Sequence, residues 1–283
     1  MATLKVAFNT TNWKPTLSEW ITAGRLIQPE ERKRISEFYF LNDAKLSLCA
    51  RLLLRYSICK VAQVPWKDIK LLRDHKNKPV LSNKSTVSFN ASHDGDWSVA
   101  AADLTDNVGI DVMNVVRNQG EPSSFFRLMK NKFSDVEWSS ILSPGEDADK
   151  MKLFYRYWCL KESYVKAIGT GISYPLEKLT FLPSQKDLDC QTISTTKLLI
   201  DNCRTTQWSF EESMLDCDHC VSVAKNMKVN KDKINQSFTV LTFDDVFKSS
   251  EPLCSTNEIE QSFIKSLNKP TKEINKFYKK NSF

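Results

Sequence analysis

The sequence predicts an α+β fold built from two similar subdomains that are joined near residues 105–110. Each half of the chain begins with a strand, continues with helical segments and ends with antiparallel strands, an order typical of α+β units. The chain has 283 residues, of which 41% are hydrophobic, so each unit has enough material for a core of its own.

The first half opens with the strand LKVAFN at residues 4–9. A helix is predicted from Pro29, because proline suits a first turn and the two acids after it lie at the positive end of the helix dipole. A longer helix begins near Asn42, where Leu46 and Cys49 start an apolar pattern with helical spacing. The short strands DIKLL, KPVL and TVSFN follow, and DWSVAAADL and VGIDV are predicted to form a hairpin.

The second half repeats this order. Two short helices are predicted at residues 122–133 and 134–142, the second capped by Ser134 with Glu137 three residues later. A long helix then runs from about Asp149 to Ile168 and ends at Gly169, which favours the left-handed conformation after a helix. The strands KLTFL, KLLI, QWSFEE and HCVSVAK complete this half.

These elements divide the chain into an N-terminal subdomain at 1–107, a C-terminal subdomain at 108–226 and a tail at 227–283. The tail is rich in Lys, Asn and Ser, keeps the apolar segment SFTVLTFDDVF, and is expected to be partly disordered. Residues 225–283 contain 11 Lys and 7 acids, so they carry about +4 of the net charge of +6. We interpret this lysine excess as a solvated surface.

Charge and hydropathy exclude several classes of protein. A net charge of +6 without clustered arginines and aromatics does not indicate a nucleic-acid-binding protein. No segment approaches the roughly 18 apolar residues of a membrane helix, and the N-terminus shows no cleavage signal. We therefore expect a cytosolic monomer that binds neither nucleic acid nor membrane.

The eight cysteines are expected to be reduced, because several lie inside apolar runs as buried cysteines of cytosolic proteins do. Cys217 and Cys220, with Cys203 and His219 nearby, have the spacing of one half of a zinc site. Because no second pair lies at zinc-finger distance, we favour a structural interpretation in which Cys220 faces inward on its strand.

The first cluster that can carry chemistry is Asn90-Ala91-Ser92-His93-Asp94-Gly95, at the end of the strand TVSFN. A polar run leaving a strand places a hydroxyl and an imidazole at a loop edge, where both can donate hydrogen bonds to phosphate. Taken alone, a histidine such as His93 is more often a turn residue than a ligand contact.

The second cluster is Val108-Gly109-Ile110-Asp111-Val112. An acid within an apolar strand needs a cation or a hydrogen-bond partner, and Gly109 removes a side chain where another element approaches closely. The alternative is that Asp111 caps a turn at the end of the strand.

The third cluster begins at Trp158 and reads W-C-L-K-E-S-Y-V-K-A-I-G. Glu162 and Lys166 lie four residues apart on one helix face, so they could form an ordinary exposed ion pair. The apolar residues around them instead indicate a largely buried helix, in which charges need a metal or an anion. Asp111 and Glu162 together suit a hard cation and magnesium-assisted chemistry on a pyrophosphate.

In this order, N-x-S-H, V-G-I-D and W-x-x-K-E-S-x-x-K-A-x-G resemble the signature of the 4′-phosphopantetheinyl transferases. Further matches to the long, surfactin-synthetase-type class, and above all to its animal members, lie at residues 28–31, 42–45, 78–81, 125–133 and 138. The resemblance covers roughly residues 1–225, with a weaker echo in FTVLTFDDV. Each motif alone is common, whereas three in order at the family spacing are specific.

The resemblance implies two α+β halves related by a pseudo-twofold axis, with coenzyme A in the cleft between them. The positions that match coenzyme A contacts are Arg34, Arg73, Lys78, Asn90, Ser92 and His93, the last two beside the 3′-phosphate. Asp111 and Glu162 match ligands of Mg²⁺ at the pyrophosphate, Lys166 matches a lysine beside it, and Glu162 also matches a general base. Many bacterial members carry a third acid where this chain has Met113, a poor ligand for magnesium.

The reaction that the resemblance implies is transfer of 4′-phosphopantetheine from coenzyme A to a serine of apo acyl-carrier domains, such as those of fatty-acid synthase or aminoadipate reductase. The carrier serine attacks the β-phosphorus and 3′,5′-ADP leaves, without a nucleophile from the enzyme. The alternative is a non-catalytic module of the same fold that binds coenzyme A or a nucleotide.

A carrier-docking surface is predicted at residues 125–133, where Arg127, Lys130 and Lys132 alternate with Phe125 and other large apolar residues. Carrier domains of this kind present an acidic helix, which a basic, partly apolar surface would complement. The alternative is that the aromatics belong to the core and the charges are merely solvated.

Overall fold

The computed structural model describes residues 3–75, 78–82, 86–104, 107–116, 121–227 and 237–272, which form an α+β fold. The α-helices are α1 Leu17–Arg25, α2 Pro29–Ser36, α3 Leu41–Ala62, α4 Pro122–Met129, α5 Asp135–Ile141, α6 Asp147–Ile168, α7 Phe243–Lys248 and α8 Gln261–Lys265. The strands are β1 Leu4–Asn9, β2 Leu71–Arg73, β3 Pro79–Leu81, β4 Ser88–Asp94, β5 Trp97–Asp103, β6 Asn107–Asn114, β7 Leu179–Leu182, β8 Lys197–Ile200, β9 Cys203–Thr205, β10 Trp208–Met214, β11 His219–Asn226 and β12 Thr239–Val240.

Two sheets organise the two halves of the chain. The first has the order β12-β1-β5-β4, and the second has the order β10-β11-β6. The smaller sheets are β2-β3 and β7-β8-β9. The predicted hairpin between β5 and β6 is wrong, because β5 pairs with β1 and β4 whereas β6 pairs with β11 in the other sheet. The hairpin that does form joins β4 to β5, and Gly95 takes a positive φ in its turn.

Each main sheet is covered by one helix of 22 residues, α3 in the N-terminal half and α6 in the C-terminal half. The pattern that predicted these helices is confirmed, including Gly169 in the left-handed conformation after α6. Helix α1 is not evident from apolar spacing, but the T-x-x-E capping box marks its start. Thr16 N donates to Glu19 Oε2 at 2.7 Å, and Glu19 N donates to Thr16 Oγ1 at 3.2 Å.

The two main sheets meet along β4 and β6. At this seam the two strands are joined by hydrogen bonds between side chains and main chain, and not by the main-chain hydrogen bonds of a sheet. Alternate residues of β4 accept hydrogen bonds from amides of β6: Ser88 Oγ from Val108 at 2.9 Å, Asn90 Oδ1 from Ile110 at 3.3 Å and Asp94 Oδ2 from Asn114 at 2.8 Å. Because side chains alternate along a strand, one face of β4 is committed to this seam.

The described part of the tail, residues 237–272, is folded. Strand β12 adds to β1 in parallel orientation, and the following helices pack on the N-terminal half. Phe263 is fully buried and stacks on Trp20, with ring centroids 5.3 Å apart. The division of the chain into subdomains stays a prediction.

None of the helices within the described ranges combines the length and the apolarity that a membrane crossing requires. The eight cysteines lie in these ranges and are all free thiols.

Candidate functional site

The seam between β4 and β6 brings Ser92, Asp111 and Lys166 together. Asp111 is buried on β6, and its Oδ1 accepts from Ser92 Oγ at 2.7 Å and from Lys166 Nζ at 2.6 Å. Lys166 Nζ also donates to Ser92 Oγ at 2.8 Å. The lysine therefore reaches across from α6 to a strand, and it does not form the ion pair along its own helix that was the alternative interpretation.

Glu162 lies one helical turn before Lys166 and faces the same site. Its Oε1 is buried and has no hydrogen-bond partner among the described residues, and the same is true of Asp111 Oδ2. Burial raises the pKa of Glu162, the charge of Asp111 raises it further, and Lys166 opposes both effects. Burial likewise raises the pKa of Asp111 against the opposing influence of Lys166 and Ser92. Two neighbouring carboxylates thus each keep one free oxygen.

Gly109 allows α6 to approach β6 closely enough to form this site. A Cβ atom at this position would lie 2.1 Å from the carbonyl oxygen of Ser163 and 2.3 Å from the amide nitrogen of Ala167. Both are main-chain atoms and cannot turn aside. The prediction that Gly109 marks a close approach is confirmed, and the residues approached flank Lys166 on its helix.

Asn90 faces the same seam as Ser92, whereas His93 lies on the other face of the strand. The polar run lies inside β4 and not at a loop edge, so successive side chains point to opposite faces. Asn90 is buried at the seam, where its side chain accepts from Ile110. His93 faces away from Asp111, towards Arg51. His93 is partly exposed. The surrounding protein atoms nevertheless lower its pKa, and the charges of Lys166 and Arg51 lower it further. The ring is therefore neutral at pH 7.

A cavity of about 330 Å³ is lined by Arg34, Arg51 and Arg73, and the charge of Arg51 also acts on His93. Burial lowers the pKa of Arg51 and of Arg73, and the guanidiniums of this group act in the same direction on one another. Such crowding of cations is unfavourable unless an anion joins them. Glu31, whose Oε1 lies 3.8 Å from Arg51 Nε, offsets part of it.

Lys78 connects this arginine cavity with the carboxylate pair. Its Nζ donates to the carbonyl of Lys166 at 3.2 Å, and its amide donates to Asp74 Oδ1 at 2.8 Å. Burial lowers the pKa of Lys78. Lys78 thus contacts the turn of α6 that carries Lys166, and its neighbour Pro79 lines the cavity together with Arg34 and Arg73.

Sequence reasoning missed Arg51, which is central to the cavity. The signal was an arginine inside the apolar run LSLCARLLLRY, one helical turn after Ser47 on α3. Arg55, four residues later, was missed as well. It is fully buried and donates to Gln28 Oε1 at 2.6 Å, and Gln28 in turn pairs with both the amide and the carbonyl of Leu71.

The carboxylates fit a hard cation, although no group of three or more His, Cys, Asp or Glu able to hold a metal occurs within the described ranges. The free buried oxygens of Asp111 and Glu162 are two such ligands, and Mg²⁺ commonly takes only one or two carboxylates from a protein. Met113 packs against the core of the C-terminal half and therefore contributes packing and not a metal ligand.

Buried charges elsewhere on α6 have a structural role. Lys161 precedes Glu162 in sequence and is fully buried, with Nζ 2.8 Å from Glu137 Oε2 and donating to the carbonyls of Leu176 and Leu179 at 2.8 and 2.6 Å. Removing one partner of such a pair typically costs about 3–5 kcal/mol, because the other charge stays buried. The pair fixes α6 against α5 and β7.

The predicted docking surface is partly core. Phe126 and Phe133 are buried, and Phe125 packs edge-on against Phe154 with ring centroids 4.8 Å apart. Arg127 and Lys130 are exposed, and between them Leu128 exposes 82% of its surface. The core interpretation is therefore confirmed for the aromatics, and docking by the exposed residues stays a prediction.

His219, the possible zinc ligand, is engaged in hydrogen bonds. Its Nδ1 lies 2.9 Å from Asp216 Oδ1, and its Nε2 accepts from the amide of Asp96 at 3.2 Å. Cys220 is buried and Cys217 exposed, so the two side chains differ in environment, and the inward-facing interpretation of Cys220 is confirmed.

Comparison with known proteins identifies relatives along most of the chain. Residues 11–105 match the family "4′-phosphopantetheinyl transferase, N-terminal", and residues 107–224 match the "4′-phosphopantetheinyl transferase superfamily". The L-aminoadipate-semialdehyde dehydrogenase-phosphopantetheinyl transferases of Mus musculus and Homo sapiens are 38% and 37% identical, over 89% of this chain and 88% of theirs. The 4′-phosphopantetheinyl transferase Sfp of Bacillus subtilis is 32% identical over 54% of this chain and 65% of its own.

Proposed function

The chain belongs to the 4′-phosphopantetheinyl transferase superfamily, and from this premise we propose that it transfers 4′-phosphopantetheine from coenzyme A to a serine of apo acyl-carrier domains. The observation that carries the proposal is the convergence of Asp111, Glu162 and Lys166 on one site, which Lys78 links to the chain segment that lines the arginine cavity. Coenzyme A carries a pyrophosphate, which would lie at the two carboxylates and Lys166, and a 3′-phosphate, which would lie in the arginine cavity.

The reaction forms a bond between the carrier serine oxygen and the β-phosphorus, and it breaks the bond from that phosphorus to the oxygen of 3′,5′-ADP. Lys166, held by Asp111 and Ser92, places a fixed positive charge beside the phosphates, where negative charge is redistributed in the transition state. Glu162 accepts the proton of the serine hydroxyl, directly or through water, and its raised pKa suits that role.

We propose that Asp111 Oδ2 and Glu162 Oε1 hold Mg²⁺, with water completing the shell in place of a third acid. When bound, the ion would neutralise charge on the pyrophosphate. The free oxygens and the raised pKa values support this assignment, because a cation would offset the cost of two buried carboxylates without partners.

The acceptors that we propose are the carrier domains of aminoadipate reductase and fatty-acid synthase, the former in line with the names of the mammalian relatives. Arg127 and Lys130, with Leu128 between them, are proposed to dock the acidic helix of the carrier, since they are exposed; Lys132 and Phe125 lie at the edge of this surface. We further propose a cytosolic monomer, which the free cysteines support.

The test is incubation of the purified protein with coenzyme A, Mg²⁺ and an apo carrier domain, followed by intact-mass analysis of the carrier. A mass gain of one phosphopantetheine, lost on replacing Asp111 by Ala, is the expected result. Binding of coenzyme A without any mass gain would instead support the non-catalytic module.

A further inference from the structure

The C-terminal segment 237–272, which we call the C-terminal clasp, holds the end of α2. Lys269 Nζ donates to the carbonyl of Ser36 at 2.7 Å and also to the carbonyl of Phe38. Both carbonyls lie at the C-terminus of α2, where the helix leaves its last acceptors without partners. A cation at this end also interacts favourably with the helix dipole. Lys269 therefore caps a helix more than 230 residues before it in sequence.

A second contact of the C-terminal clasp, between Glu260 and Arg32, restricts rotation of α2 about its own axis. Glu260 accepts from Arg32 Nε at 2.7 Å and from Arg32 Nη2 at 3.2 Å, a bidentate geometry that sets the plane of the guanidinium. Arg32 Nη1 also donates to the carbonyls of Gly24 and Ile27 at 3.3 and 2.9 Å. The hydrogen bond from Arg32 lowers the pKa of Glu260.

Helix α2 depends on such contacts because it has little core of its own. It has eight residues, too few to be stable in isolation, and its buried residues are Glu31, Arg32 and Ile35. The same helix presents Glu30, Glu31 and Arg34 to the arginine cavity. That wall of the cavity is consequently held from the opposite side of the helix as well as by the contact of Glu31 with Arg51.

We propose that Lys269 and Glu260 are positioning residues for coenzyme A binding, acting through α2 on Arg34. The proposal rests on the proposed function, since it takes the arginine cavity to be the nucleotide site of coenzyme A. The C-terminal clasp also holds the start of α3, where the amide of Leu41 donates to the carbonyl of Pro270 at 2.9 Å. Helix α3 supplies Arg51 to the cavity.

The experiment compares full-length Lys269→Met, Lys269→Arg and Glu260→Gln variants with wild type in steady-state transfer and in calorimetric titration with coenzyme A. Lys265→Met is the matched control, because Lys265 is exposed on α8 and makes no hydrogen bond or ion pair within the described ranges. We expect Lys269→Met to weaken coenzyme A binding on the order of fivefold, at the low end of coupling between separate sites, with kcat at saturation unchanged. Lys269→Arg should recover most of the affinity.

Two further readouts separate positioning from a loss of stability. The ratio of the affinities for coenzyme A and dephospho-coenzyme A should be smaller in Lys269→Met than in wild type. Because coupling is reciprocal, coenzyme A should also slow the amide hydrogen exchange of α8 in wild type, and it should do so less in the variant. An unchanged affinity in Lys269→Met, or kcat and affinity that fall only in proportion to lost folded protein, would overturn the inference. A wild-type protein that does not bind coenzyme A would overturn the proposed function instead.

Discussion

Replacing Glu162 by Gln should make the protein more stable and inactive. Oε1 of Glu162 is a buried acceptor without a partner among the described residues, and burial and Asp111 raise the pKa of this carboxyl. An unsatisfied buried polar group costs about 1–3 kcal/mol. The neutral side-chain amide of glutamine relieves part of that cost. Once the lost attraction between Glu162 and Lys166 is subtracted, the free energy of unfolding should rise by roughly 1 kcal/mol. For a chain of this size, such a gain raises Tm by about 2 °C.

The pH dependence of this gain has a defined sign. A carboxyl whose pKa is raised in the folded state binds more protons there than in the unfolded chain, so wild-type stability falls as pH rises. The fall begins near the ordinary pKa of 4.5 and is complete above the raised value. The Tm difference between Glu162→Gln and wild type should therefore vanish below about pH 4.5, grow as the pH rises and level off above the raised pKa of Glu162.

The assays are thermal unfolding by calorimetry from pH 4 to pH 8, with and without Mg²⁺ and coenzyme A, and carrier modification followed by mass. We expect the variant to lose the Mg²⁺-dependent part of ligand stabilisation, and to lose transfer by roughly a hundredfold or more, since metal assistance contributes several kcal/mol. Ordinary turnover by the folded variant, or a lower Tm at pH 7 in the absence of ligands, would refute the reasoning.

Three other predictions concern the surroundings of this centre. Gly109→Ala should force α6 away from β6 and destabilise the fold by about 1–3 kcal/mol, measured by urea unfolding; wild-type stability would mean that the helix can shift freely. Arg73→Ala and His93→Ala should raise KM for coenzyme A more than they lower kcat. If calorimetry showed that both variants bind coenzyme A with normal affinity, the assignment of these two residues to a phosphate of coenzyme A would be wrong. Reversing Lys130 and Lys132 to Glu should slow carrier association, most strongly at low salt, without changing coenzyme A affinity; unchanged carrier kinetics would move the docking surface elsewhere.

The residues proposed for catalysis could be selected from the sequence because local patterns mark them. Asp111 stands out as an acid in an apolar strand, and Glu162 and Lys166 as charges on a helix whose neighbours are apolar. Polar groups in such settings need specific partners, so their presence signals a site. The family resemblance added roles to these residues, and the glycine at 109 was correctly interpreted as a point of close approach.

The pairing of elements could not be deduced in the same way. Neighbouring apolar strands look alike in sequence, and nothing local distinguishes a β5-β6 hairpin from a chain that crosses to a second sheet. Arg51 was missed for a related reason: an arginine in an apolar helix face gains its meaning from Arg34 and Arg73, which arrive from other elements.

By itself, the sequence determined where the two long helices and most strands of residues 1–226 lie, that the fold is α+β, and which few charges are placed among apolar residues. These properties follow from short-range periodicity and from the cost of burying charge. The tertiary structure alone decided that Lys166 pairs with Asp111 and not with Glu162, that Ser92 and His93 face opposite sides of β4, and that the C-terminal clasp returns to cap α2. Each of these depends on contacts between residues far apart in the chain, whose geometry is fixed only when the sheets and helices pack together.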